Sequence, residues 1–339
     1  MKTLAVFTPT YNRKHTITRT YESLCRQTSC DFVWLIIDDG STDGTREWVE
    51  SLGKKIQSEG ECYDWMGRLL PTKDKNHFVI DSHPFSIRIE YIYKPNGGLY
   101  TGYNVAYAVI QTELCVCIDS DDYMPDDAVE SIINLWRKHY PKGNVNNFKS
   151  IINNKEYCGI LGLDFDINSM QPIGGYFPNN MLEANMLDLE SRKLHSGDTK
   201  QVMRTDLMKK VSPMIGFKGE KDFNPFYMLM KVCDIYPMLI INDNLCTVEY
   251  QVGTDSMSQG IFKQYINSPR SYAKYRAKTM ELNHISLKRK MVLAAHYVSS
   301  CIIAKDQDWL KNTSYPILTL LMSPLGILLY FYILKKAHR

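Results

Sequence analysis

The sequence has no Cys-x-x-Cys pair among its nine cysteines, which argues against a zinc ribbon or a thioredoxin-like centre. Their number is odd, and Cys115 and Cys117 sit inside an apolar run. They read as reduced core thiols of a cytoplasmic protein rather than as a disulfide framework. After the first apolar run, Leu4–Thr8, there is neither Gly-x-Gly-x-x-Gly nor Gly-x-x-x-x-Gly-Lys-Ser/Thr. Dinucleotide-dependent oxidoreductases and P-loop NTPases are thereby disfavoured. The first residues carry no apolar leader, and a cytosolic catalytic part is expected. Net charge is small, +3 over 339 residues, but unevenly spread. Residues 263–339 hold thirteen Lys/Arg against three Asp/Glu, so residues 1–262 hold seven more acids than bases. An acidic front and a basic tail point to one part that attracts cations and another that attracts anions. Nucleic acid is not the expected anion, because no recognised binding motif is present and the front would repel it.

With 44% hydrophobic and 12% aromatic residues there is ample material for a core. Four short apolar runs read as buried parallel strands: Leu4–Thr8, Phe32–Ile37, Ile87–Tyr93 and Leu114–Ile118. Helix-period segments lie between them at 15–28, 45–52 and 99–111, and another begins at Pro125. Such alternation implies an α/β fold of right-handed βαβ units, with ligands bound at the carboxyl ends of the strands. Residues 53–86 read as a polar, irregular excursion. Short strands are expected at Ile235–Ile241 and Leu245–Tyr250, and basic helices over 262–311.

The fourth run ends in VCIDSDDYMPDDAV, with Asp119, Asp121, Asp122, Asp126 and Asp127 inside nine positions. Like charges so crowded repel, and a positive partner is required. Asp119 and Asp121, one residue apart at a strand exit, can converge as hard oxygen ligands for Mg²⁺ or Mn²⁺. Such an ion usually takes one or two carboxylates and completes its shell with water and substrate phosphates. Asp126 and Asp127 follow Pro125 and suit a first helical turn, where they meet the helix dipole. No role follows for Asp122.

TPTYNR (Thr8–Arg13), DDGSTDGT (Asp38–Thr45) and IDSDD (Ile118–Asp122), in this order and spacing, resemble the inverting family 2 glycosyltransferases of the GT-A fold. KPNGGLYTGYN (Lys94–Asn104) and GEKDFNPFY (Gly219–Tyr227) extend the likeness. It covers residues 1–130 closely and 195–260 more loosely. It reaches the tail only as a pattern of members that build capsules and surface polysaccharides. The resemblance implies a nucleoside-diphosphate sugar donor, most often UDP-linked, with Mn²⁺ or Mg²⁺. Pro9 and Tyr11 would line the nucleoside pocket, Tyr11 against the base, and Asp39 would accept a hydrogen bond from uracil. Asn96 and Gly97 belong to the donor-binding turn and Asn104 to the helix after it. Asp119 would sit near ribose and metal, and Asp121 would hold the metal on the diphosphate. Many close members have Lys and His where this chain has Leu99 and Tyr100, so Lys94 or a tail arginine would have to substitute, or the donor differs.

Inversion requires a carboxylate to take the proton of the attacking acceptor hydroxyl. The matching stretch offers Glu220, placed first, and Asp222, placed second. His195 reads either as an acceptor contact or as a packed residue, and 250–260 as a Gly/Ser-rich loop that closes over nucleotide in relatives.

Residues 316–334 are uncharged, and nineteen residues at ~1.5 Å each nearly cross a ~30 Å hydrocarbon layer. Pro324 and Gly326 divide the run, so a broken interfacial or re-entrant helix is expected ahead of a single span or a core helix. The basic residues around it, including Lys288, Arg289 and Lys290, suit an anionic inner leaflet. The expected organisation is a catalytic domain over 1–260, split near 130 into a nucleotide-binding and an acceptor half. A basic helical tail follows over 261–339, with its membrane-associating segment at 315–334. The expected activity is metal-dependent transfer of a sugar from a UDP-sugar to a lipid-linked glycan at the cytoplasmic membrane face. A non-catalytic sugar-nucleotide-binding scaffold is the rival.

Overall fold

The computed structural model describes residues 2–57, 60–63, 68–74, 76–85, 87–142, 148–249 and 260–337. The chain runs β1 (Leu4–Thr10), α1 (Lys14–Cys25), β2 (Phe32–Asp38), α2 (Thr45–Ser51), β3 (Gly53–Gln57), β4 (Gly60–Tyr63), β5 (Leu69–Asp74) and β6 (His77–Ser82). Then come β7 (Arg88–Tyr93), α3 (Leu99–Val109), β8 (Leu114–Cys117), α4 (Ala128–His139), β9 (Gly159–Asp166), β10 (Glu183–Ala184) and α5 (Met186–Ser191). The last elements are β11 (Thr199–Arg204), α6 (Thr205–Val211), α7 (Phe226–Cys233), β12 (Met238–Val248), α8 (Ile261–Asn267), α9 (Pro269–Met280), α10 (Leu287–Ala304) and α11 (Pro316–Ala337).

Ten strands form one mixed sheet in the order β10-β12-β9-β11-β8-β1-β2-β7-β6-β3. The centre, β8-β1-β2-β7, is parallel, as the four apolar runs require. Alternate residues of these strands feed two cores. Leu4 and Val6 face Ile17, Tyr21 and Leu24 of α1, whereas Ala5 and Phe7 face Val105 and Tyr107 of α3. Burial on both faces is why these strands read as unbroken apolar runs instead of alternating ones. β11 enters antiparallel to β8 and β9, which carries the sheet into the second half of the chain.

The structure corrects the reading of residues 53–86. That stretch supplies β3 and β6, which extend the sheet antiparallel beyond β7, and the separate β4–β5 hairpin. The two strands expected around 235–250 are one strand, β12, whose register against β9 shifts between Ile240 and Asn244. The residues expected to form a Gly/Ser-rich loop, 250–259, lie outside the described residues.

The tail is a helical layer with its own core, where Ala273 and Met280 meet Leu293, Tyr297 and Met322. Contrary to expectation, Pro324 does not break α11, which continues for 22 residues. Proline removes the bond to the carbonyl four residues back. Here that carbonyl, Leu320 O, accepts the Ser323 hydroxyl at 2.7 Å instead. α11 lies along α10 so closely that a Cβ at Gly326 would come within 2.5 Å of Val298. Its other side leaves Ile317, Leu320, Leu321, Leu325, Leu328 and Phe331 exposed.

Candidate active site

The parallel strands deliver their ends to one edge of the sheet. At the tip of β2, the fully buried Asp38 accepts the Tyr91 hydroxyl at 2.6 Å and the Ser41 N–H at 2.7 Å, which fixes the turn that follows. Asp39 is the organiser of the neighbouring turn after β7. Its Oδ1 accepts the Lys94 ammonium and the Gly97 N–H, and its Oδ2 accepts the Gly98 N–H, both amides at 2.9 Å. Lys94 is 2% exposed and also donates to Pro95 O. Burial works to lower its pKa, and the pair with Asp39 opposes that. It is therefore consumed inside the fold and does not stand in for the missing Lys–His pair. Nor does the tail arginine Arg270, which is held by Glu220 and Lys218 O.

Glycine is needed where these turns touch. Gly98 has φ +94°, and a Cβ there would lie 2.1 Å from Lys221 O. Tyr100 explains the departure from the common motif. It turns inward against Gly216 and Phe223 and sits in the seam between the two halves of the chain.

Of the residues assigned to the nucleoside pocket, Tyr11 is half exposed at the end of β1. Pro9 is buried beneath Gly102 of α3. Asn104 lies on α3, the helix after the turn, as expected, and its amide faces inward. It is 1% exposed, and its amide binds Met214 in both directions, Nδ2 to Met214 O at 2.9 Å and Oδ1 from Met214 N–H at 2.7 Å. Its part is to clamp the segment around Met214 onto α3.

The acidic turn after β8 is braced by α1. Arg19 donates to Asp121 O, and the Thr20 hydroxyl donates to Asp122 O at 2.7 Å. Asp119 stands exposed, and its Oδ1 accepts the Cys117 thiol at 3.8 Å. Burial, then the Asp119 charge, raises the Asp121 carboxyl above the usual carboxylate range, against Arg13 and Arg19. Two neighbouring carboxylates, one exposed and one raised by burial and by the charge of the other, suit a divalent cation. Among the described residues no cluster of three or more His, Cys, Asp or Glu is placed to hold a metal. An ion at Asp119 and Asp121 would thus complete its shell from the ligand, as Mg²⁺ commonly does.

Asp122 points the other way, into the interior, where burial drives its pKa far up. Lys200 of β11 is the cation inside the fold there, with Nζ 3.8 Å from Asp164 Oδ1. Burial works against this ammonium, but Asp164 and its other acidic neighbours hold its pKa well above normal. Sequence reading missed the pair. The signal present was a lysine two residues before Val202, on the inward side of a mostly polar strand. The helix expected from Pro125 begins at Ala128, so Asp126 precedes its first turn, in an exposed ion pair with Arg26 at 3.0 Å, and Asp127 is the N-cap residue without a side-chain cap bond.

The second half contributes the segment Met214–Phe223. Lys221 Nζ donates to Asn96 Oδ1 at 2.6 Å, which lays this segment over the Asn-Gly-Gly turn. Glu220, 6% exposed, caps α9: Oε1 accepts Arg270 N–H at 3.2 Å and Nε–H at 2.8 Å, and Oε2 accepts Ser271 N–H at 2.7 Å. Asp222 is half-buried, and its Oδ2 accepts the Ser268 hydroxyl at 2.9 Å. Burial, reinforced by Glu220, raises its carboxyl above the usual range, against Ser268 and Lys221. Oδ1 has no hydrogen-bond partner among the described residues. A half-exposed carboxylate with a raised pKa and an open oxygen has the attributes of a general base. His195 is packed against Phe177 with ring centroids 4.7 Å apart, in the wall rather than the cleft.

Residues 5–63 and 72–163 match the family described as glycosyl transferase family 2. Chondroitin synthase of Pasteurella multocida (strain Pm70) is 27% identical over 135 residues, 40% of this chain and 11% of that protein. Chondroitin synthase of Escherichia coli is 29% identical over 135 residues, 40% of this chain and 15% of that protein. Validoxylamine A glucosyltransferase of Streptomyces hygroscopicus subsp. jinggangensis is 45% identical over 56 residues, 16% of this chain and 13% of that one. The matches thus span only a small part of these relatives' length. Among solved structures, S. aureus TarS 1–349 superposes with a TM-score of 0.53 at 15% identity, over 98% of this chain and 90% of that one. The same TarS segment in complex with UDP-GlcNAc gives 0.53. At that identity the likeness establishes the fold.

Proposed function

We propose that the chain is a family 2 glycosyltransferase of GT-A-like fold and moves a sugar from a UDP-sugar to an acceptor hydroxyl with inversion. The observation that carries this reading is that the parallel strands β2, β7 and β8 lead into Asp39, the Asn-Gly-Gly turn and the Asp119–Asp121 turn at one sheet edge, where Lys221, next to Asp222, bonds Asn96. The UDP-sugar is supported by TarS, which binds UDP-GlcNAc.

Tyr11 offers an exposed ring for the base. Asp39, through Lys94, Gly97 and Gly98, keeps the Asn-Gly-Gly turn in place beside the donor, and uracil would approach the remaining lone pair on Oδ2. Asp119 and Asp121 would hold Mn²⁺ or Mg²⁺, which when bound supplies charge neutralisation at the departing diphosphate. Asp222 takes the proton of the attacking hydroxyl on Oδ1, ahead of Glu220, whose two oxygens are committed to α9. The exposed apolar side of α11, with Lys335 and Lys336 in its last turn, supports docking in the plane of a membrane. The anionic cytoplasmic leaflet, where lipid-linked glycans are found, is the proposed location.

Measuring UDP release from a panel of UDP-sugars with Mn²⁺ tests the reading. Wild type should turn over at least one donor and Asp121→Ala none at a comparable rate. Wild-type protein inert towards every donor would overturn it.

A further inference from the structure

Ser268 lies between the end of α8 and the start of α9, 46 residues from Asp222, and is fully buried. Its Oγ engages Asp222 twice. It accepts the Asp222 backbone N–H at 3.1 Å and donates its own hydrogen to Oδ2 at 2.9 Å. The two contacts fix both the backbone and the carboxylate plane, so Oδ1 is the oxygen left facing out. Two residues earlier, Glu220 fastens the same segment to the first turn of α9 through Arg270 and Ser271. Lys274 adds a bond from α9 to Ile215 O at 2.8 Å. The base-bearing segment is therefore built on the start of α9, a helix of the basic C-terminal layer, and only secondarily on the sheet.

We infer that Ser268 is a positioning residue for the transfer reaction, holding the Asp222 carboxylate so that Oδ1 meets the acceptor hydroxyl. The inference rests on the assignment of Asp222 as the base. A geometric role of this kind acts on turnover rather than on donor binding, because the hydrogen bonds of the Ser268 hydroxyl go to Asp222. The hydroxyl also favours the ionised carboxylate, since it donates to it. Among the described residues, the charged or titratable groups facing Asp222 are Glu220 and Lys221 on its own segment and Tyr272 on α9.

The test is the pH dependence of UDP release, from 5 to 9, with the UDP-sugar that wild type consumes. Ser268→Ala should lower kcat about tenfold, leave the donor KM unchanged, and move the acidic limb to higher pH. Ser268→Thr should restore both. Should the alanine variant fail to fold, Ser268→Cys, with similar volume and a weaker donor, should show the same displaced limb. A limb superimposable on wild type, or a loss confined to donor KM, overturns the inference. Asp222→Asn with full turnover would instead remove the base assignment itself, so the two failures are told apart.

Discussion

Lys221 Nζ lies 2.6 Å from Asn96 Oδ1, joining a segment of the second half of the chain to the Asn-Gly-Gly turn of the first. Directly beneath, Lys221 O touches Gly98, which holds a left-handed φ of +94°. The ion-dipole contact itself is exposed and worth well under about 1 kcal/mol. The backbone contact is what cannot be replaced.

Gly98→Ala should therefore cost far more than a surface change. It combines strain at positive φ with a Cβ 2.1 Å from a carbonyl oxygen, and a loss of roughly 2–4 kcal/mol is expected. Thermal melting reads the stability loss, and donor KM should rise with it because the turn must shift. A variant with wild-type melting and KM would show that the turn is not held as described.

Glu220 and Asp222 should separate in their effects. Asp222→Asn should keep the fold and lower kcat by about 10²–10⁴. Glu220→Ala removes a buried cap from two N–H groups of α9 and should destabilise by about 1–2 kcal/mol, with a smaller loss of turnover. Melting curves and kcat measured on both variants check the pair. The reverse pattern would make Glu220 the base.

The Asp164 carboxyl is pushed up to about 6 by burial, with Lys200 opposing and the Asp198 and Asp119 charges adding to the rise. The unfolded chain ionises this group near the ordinary carboxylate value, so between about pH 4 and 6 the folded state holds a proton that the unfolded state has lost. Stability from this group is complete below that window and falls as pH rises through it, by about 3 kcal/mol in total. Asp164→Asn abolishes the titration. The melting temperature of the variant relative to wild type should climb in its favour from pH 4 to 7. A constant difference would refute the assignment.

α11 presents Leu321, 71% exposed, and Phe331, 62% exposed, on the side away from α10. Wild-type protein should sediment with vesicles containing anionic phospholipid, less so at high salt. Leu321→Glu with Phe331→Glu should leave it in the supernatant with unchanged melting. Retention by vesicles regardless of both changes would place the contact elsewhere.

The parallel centre of the sheet was legible because β1, β2, β7 and β8 are buried on both faces and need apolar residues at every position. β3 was not, because an edge strand tolerates lysines and polar residues that make a segment look irregular, and β6 beside it mixes polar with apolar positions. β12 was read as two strands because Asn242, Asp243 and Asn244 interrupt its apolar residues at the register shift. The acidic turn, Tyr11 and the Glu220–Asp222 segment were visible as local motifs. Their order of use was not, since the partners that decide it, Ser268 and Ser271, lie some fifty residues downstream. Asn104 was placed on its helix, but the partner of its amide was not legible, for a similar reason. Whether an amide faces a ligand or a backbone 110 residues away leaves no local mark. The continuity of α11 through Pro324 hinges on one serine hydroxyl.

Fastening the segment that bears Asp222 to the start of α9 also orders events during synthesis. The nucleotide edge is made of strands that leave the ribosome within the first 120 residues. Residues 268–271, which anchor Asp222 and Glu220, emerge only after the sheet is complete. A nascent chain or an early truncation can thus carry a finished donor edge with no seated proton acceptor. With Asp222 as the proposed base, turnover would thereby wait until the start of α9 has been made.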